Sequence, residues 1–145
     1  MDCEARAAIE VLRNYRHLER RMAEIQERIA RCHELATRAT SSMAAGAISG
    51  TPGRSRVENE SVKILDLERQ MERTYGELVR KQYAIQAAID AMPSEAYKRM
   101  LELRYLDGKT WEAIMRAMHL SRASSFRMHE AALINFYGHY QSPGE

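Results

Sequence analysis

The residues with the greatest chemical reach in this sequence lie between Lys109 and Arg127. Arg122 and Arg127 each carry a planar guanidinium, a shape that grips phosphate or the two acceptors on a guanine edge. Ala123 and Phe126 beside them suit contact with a thymine methyl, and Ser124 shares their side of a helix. Thr110 and Ser121 each precede a helix-forming run, which places them at helix N-termini where free backbone N–H groups meet anions. Lys109 stands next to the first of these. Together these types imply docking on double-stranded DNA rather than the making or breaking of bonds. No Gly-rich phosphate loop, nucleophile elbow or His–Cys dyad occurs, so an enzyme is not expected, nor are catalytic residues or cofactors. Cys32 and His33 lack a second ligand pair at zinc spacing, so no metal site is expected.

Elements must hold those residues in place. Pro93-Ser94 opens a helix with Ser94 as N-cap. Met100, Leu101, Leu103, Tyr105 and Leu106 give it an apolar side, and Asp107-Gly108 ends it. Thr110 caps a short helix from Trp111 to Met118. His119 and Leu120 then lead to Ser121, the cap of a last helix from Arg122 to about Tyr137. Three helices with the last two joined by a tight turn have the layout of a helix-turn-helix. Ile114, Met118, Leu120, Met128, Ala132 and Leu133 are expected to form its small core, with Ser125 turned inward. That arrangement leaves the first turns of the last helix free to enter a groove about 12 Å wide. Trp111 is expected as a core anchor, and His129 as a phosphate contact or a surface histidine.

The first ninety residues have a different rhythm. Ala5, Ala8, Leu12, Tyr15, Leu18, Met22, Ile25, Ile29, Cys32 and Ala36 step by three and four, the narrow seam of a coiled coil. A second seam runs through Ile64, Leu67, Met71, Tyr75, Leu78, Ile85, Ile89 and Met92, and Pro93 stops it. Tyr15, Tyr75 and Tyr83 are expected to pack, and Glu58 and Glu60 to lie on a solvated helix start. Between the seams a Thr, Ser, Ala and Gly-rich stretch followed by Pro52-Gly53 predicts a flexible loop at about 38–58. The expectation is an all-α chain: a long antiparallel helical hairpin over 1–92, a helix-turn-helix domain over 93–138, and a tail over 139–145. Each long helix buries one stripe, so a homodimer through the long helices is expected.

Composition narrows the classes. Hydrophobic residues make up 45% and charged residues 29%, which suits a folded chain. No apolar run approaches the roughly 20 residues that span a bilayer, so no membrane is expected. The acidic start Met1-Asp2-Cys3-Glu4 carries no secretory pattern, and two cysteines make no disulfide framework. A cytoplasmic location is expected. Net charge is only +2 and is spread evenly, although the stretch from Arg104 to Arg127 carries +3. Charge by itself is a weak sign of a nucleic-acid partner.

Residues 100–136, MLELRYLDGKTWEAIMRAMHLSRASSFRMHEAALINF, resemble the promoter-reading fourth domain of bacterial sigma factors. They are more similar still to the sigma-like domain of phage ArpU/RinA-type late transcriptional regulators. That family's RY-x-x-G-x-[ST]-W-E-x-I-x-x-x-M segment is met here by Arg104, Tyr105, Gly108, Thr110, Trp111, Glu112, Ile114 and Met118. Its S-R-x-x-x-[YF]-R-x-H-x-x-A-L run is met by Ser121, Arg122, Phe126, Arg127, His129, Ala132 and Leu133. The resemblance implies a DNA-binding regulator that activates phage or prophage genes in a bacterial host, with contact to host RNA polymerase. Two alternatives stay open: a phage terminase small subunit that recognises packaging-site DNA, and a helical interaction module that binds no DNA. Met115 and Ser125 depart from the family's small and β-branched residues at positions that face each other in such motifs. A volume exchange between them is the expected compensation.

Overall fold

Backbone hydrogen bonds within single segments, rather than between strands, organise the described residues. The computed structural model describes residues 1–44 and 51–143, all helix or connecting turn with no strand among them. The helices are α1 (Cys3–Ala44), α2 (Thr51–Ala91), α3 (Glu95–Leu101), α4 (Trp111–Met118) and α5 (Arg122–His139). A π-helical segment, Glu102–Leu106, continues α3. The chain is therefore all-α.

Both long helices run further than composition suggests. Residues 38–44 belong to α1 and residues 51–58 to α2, so most of the expected loop at 38–58 is helical, and positions 45–50 fall outside the described residues. The Thr37 and Thr40 hydroxyls donate to the carbonyls of His33 and Ala36, which keeps them compatible with the helix. Ala39 is buried and rewards the extension. Pro52 falls in the first turn of α2, where a backbone N–H would lack an intrahelical acceptor in any case. α5 runs through Gly138 to His139, two residues past the expected end at about Tyr137.

The chain divides into two compact units, Met1–Leu18 with Leu78–Glu145, and Glu19–Glu77. In the first, one core gathers Ala5, Ala8, Leu12 and Tyr15 of α1, Ile85, Ala88 and Ile89 of α2, Met92 just after it, Leu101 of α3, Tyr105, and Ala132, Leu133 and Phe136 of α5. Four alanines let the helices approach closely, and Phe136 fills the space between them with no exposed surface. The backbone N–H of Asp2 also donates to Glu130 of α5. The expected boundary at 92/93 thus runs through this unit: the ends of the long helices share a core with the C-terminal helices. Burial of apolar stripes explains the difference, because α3 and α5 pack on each other and the long-helix ends complete the cover of Leu101, Leu133 and Phe136.

In the second unit α1 buries Ile25, Cys32 and Ala39, and α2 buries Glu60 and Thr74. Glu60 is not on a solvated helix start as expected; it is 5% exposed, and its Oε1 accepts from Lys63 at 3.3 Å. Burial and the neighbouring Glu60 push the Cys32 thiol up, so it stays a thiol. Thr74 takes the inward place expected for Tyr75, which is 57% exposed. The steps Leu67, Met71, Thr74 and Leu78 continue the seam, and Tyr75 lies about 100° off it. Tyr83 in the first unit is also exposed, at 80%, and does not pack.

Gly108 has φ +69, a left-handed conformation that only glycine takes without strain. A Cβ built there would lie 2.5 Å from Nη2 of Arg16. Gly108→Ala is expected to destabilise the protein by about 1–2 kcal/mol, mostly from the backbone, since the Arg16 end group can move. Thermal melts compare the two proteins, and an unchanged midpoint would show that the turn tolerates a side chain.

Candidate nucleic-acid interface

Serine and threonine caps set the frame. Tyr97 N–H donates to Ser94 Oγ, Ala113 N–H to Thr110 Oγ1, and Ser124 N–H to Ser121 Oγ, each at 3.2 or 3.3 Å. All three expected caps are therefore formed. Between α4 and α5 lie His119, Leu120 and Ser121. His119 adopts the left-handed conformation, φ 55, although it is not glycine. The N–H groups of His119 and Leu120 both reach the Met115 carbonyl, the Leu120 bond being 2.9 Å, so the helix end is satisfied as in a Schellman motif.

On α5 the inward stripe is Ser125, His129, Ala132, Leu133 and Phe136, at steps of four, three, one and three. The first turns of α5 present Arg122, Ala123, Phe126 and Arg127, all exposed, with Phe126 at 60%. Ser124 is half-buried; its hydroxyl accepts from Ser121 Oγ at 3.0 Å and from Arg127 Nη2 at 3.5 Å. The Ser121 and Ser124 hydroxyls are thus occupied within the first turn of α5. Of the backbone N–H groups at this helix start, that of Ser124 goes to Ser121 Oγ and that of Ser125 to the Ser121 carbonyl. Lys109 and Thr110 are exposed at the start of α4. Ser121 to Arg127 are brought onto one short helical surface, and Lys109 with Thr110 form a second group on another element.

The small core differs in one polar respect. Ile114, Ala132 and Leu133 are fully buried, and Met118, Leu120 and Met128 are half-buried. His129, expected at the surface or on phosphate, is 8% exposed. Its Nε2 lies 2.8 Å from the Tyr105 hydroxyl, and Trp111 meets its ring edge-on at 4.6 Å between centroids. Arg104 stacks over Trp111 at 4.8 Å and donates to the Lys109 carbonyl at 3.0 Å. Four aromatic and basic side chains thus tie the π-helical segment, α4 and α5 together. Burial, with the Arg104 and Arg13 cations nearby, lowers the His129 pKa to about 4, so the ring is neutral at pH 7. Burial also raises Tyr105, which keeps its proton. The sequence signal for His129 was available: it falls four residues after Ser125 and three before Ala132, on the core stripe.

The π-helical segment turns Tyr105 into this cluster. Asp107 N–H reaches the Glu102 carbonyl five residues back, and Lys109 N–H reaches that of Leu103. Ser125 is buried and Met115 half-buried, so Met115 has only part of its side chain available for the expected volume exchange. Among the described residues no group of histidine, cysteine or carboxylate side chains has a metal-holding arrangement. No helix there is long and apolar enough to cross a membrane.

Comparison with known proteins adds a family without a described activity. A family model described as a protein of unknown function, DUF1492, matches residues 38–136, 99 of the 145 residues. No curated protein and no solved structure matches the chain. The match runs from the last turns of α1 through the caps, the Tyr105–His129 pair and the exposed start of α5. By that coverage the chain belongs to the DUF1492 family.

Proposed function

We propose that this protein is a DNA-binding transcriptional regulator of phage or prophage genes, with α5 as its recognition helix. The observation that carries this reading is the start of α5, where Arg122, Ala123, Phe126 and Arg127 are exposed while Ser125, His129, Ala132, Leu133 and Phe136 hold the helix in the core. A helix so held presents its first turns to a major groove, with two guanidinium groups for guanine or phosphate. The resemblance to ArpU/RinA-type regulators supplies the gene class and the suggestion of contact with host RNA polymerase. A cytoplasmic site of action goes with it. Val62, Leu65 and Tyr75, exposed on α2, support homodimerisation through the long helices.

Selection of bound fragments from the parent phage genome, followed by footprinting, tests the reading. Arg122→Ala and Arg127→Ala are each expected to weaken specific binding by about 1–3 kcal/mol. Lys109→Ala is expected to lower the salt slope by about one unit and to leave sequence preference intact. Failure of the wild-type protein to bind any fragment at about 50 mM salt would turn the reading toward an interaction module, because non-specific affinity is already evident there.

A further inference from the structure

We propose that Arg13 and Arg16 of α1 belong to the DNA-contacting surface, where they bind backbone phosphates beside the start of α4. This rests on the DNA-binding reading above and extends its footprint to the opposite end of the chain. The two arginines are three residues apart on α1 and so share a face. Each follows a core residue, Leu12 or Tyr15, by one position, which sets it at the flank of the buried seam rather than opposite to it. Arg13 is exposed and Arg16 half-buried.

The turn before α4 fixes where Arg16 goes. Its Cζ and Nη1 lie 3.1 and 3.2 Å from the position a Cβ would take on Gly108, the residue before Lys109. The absence of a side chain at Gly108 is what admits the guanidinium. Arg104 bonds the Lys109 carbonyl from the same turn. Arg13 lies close enough to act on Tyr105 and His129, which the π-helical segment and α5 contribute. Arg16, Arg104 and Lys109 thus meet at the junction between that segment and α4, with Arg13 one turn back on the same face of α1, and Asp107 and Glu112 are the exposed acids adjacent in sequence. A cationic surface at a helix N-terminus with exposed Lys109 and Thr110 fits a phosphodiester backbone.

Salt-dependent binding to a mixed-sequence DNA duplex, read by fluorescence anisotropy, tests the proposal. The Arg13→Gln/Arg16→Gln protein is expected to show a salt slope smaller by about two units, with all sequences weakened alike. Arg13→Lys/Arg16→Lys is expected to keep the wild-type slope, and circular dichroism melts confirm that both variants are folded. The proposal is overturned if the Gln pair leaves the slope unchanged while Arg122→Ala/Arg127→Ala weakens binding. No binding by the wild-type protein overturns the DNA-binding reading itself, and the present proposal with it.

Discussion

A fragment spanning residues 93–143 is expected to be unfolded in isolation, whereas residues 1–18 joined by a flexible linker to residues 78–143 are expected to fold. Seven of the thirteen residues of the main core come from α1 and α2, and an eighth, Met92, directly follows α2. Without them Leu101, Tyr105, Leu133 and Phe136 lose most of the surface that covers them. Each large apolar side chain contributes about 1.5–3 kcal/mol when fully buried. Losing several of these contributions matches the whole stability of a small domain, about 5–15 kcal/mol. Domains of this size are already marginal because so little of their surface is buried. Phe136→Ala in the full chain isolates part of the effect and should cost about 3–5 kcal/mol. Circular dichroism and amide proton dispersion decide the matter. Cooperative melting of the 93–143 fragment would sink the claim that the ends of the long helices complete this core.

Lowering the pH from 7 to 4 is expected to remove about 3 kcal/mol of stability through His129 alone. The ring has a pKa of about 4 in the folded protein, against 6.5 for an ordinary histidine. Between those values the unfolded chain takes up a proton that the folded protein refuses. Stability is therefore full above about 6.5, falls as the pH drops, and stops falling below about 4. Arg104 and Arg13 oppose the charged ring, and Glu130 favours it but does not offset burial. His129→Gln keeps a polar partner for the Tyr105 hydroxyl and cannot titrate in this range. Carboxylates titrate in both proteins, so the difference between their stability curves isolates the histidine. Denaturant melts at several pH values should show wild type losing more stability than the variant across that window. Parallel curves would mean that His129 opens to water before it is protonated.

The two predictions draw on different amounts of sequence information. The seam from Ala5 to Cys32, the serine and threonine caps at 94, 110 and 121, and the exposed start of α5 were legible. All depend on residues within one or two turns of each other, where spacing and capping chemistry act. The extra helix at 38–44 and 51–58 was not legible, because a Thr- and Ser-rich stretch is compatible with a loop until back-bonding and the burial of Ala39 favour the helix. Thr74 in place of Tyr75 was a matter of seam register by one residue. His129 was misplaced although its spacing set it on the core stripe, because an imidazole reads as a surface group until Tyr105 and Trp111 arrive from other elements to partner it.

By itself, then, the sequence determined an all-helical chain, the positions of its C-terminal caps and turn, and which face of the last helix stays in water. The tertiary structure alone decided that the first turns of α1 and the last of α2 join the C-terminal helices in one core. It alone set the Arg16 guanidinium against Gly108, more than ninety positions away in the chain. Helical periodicity states that a stripe will be buried and not which stripe will cover it. That choice belongs to the packing of surfaces far apart in sequence.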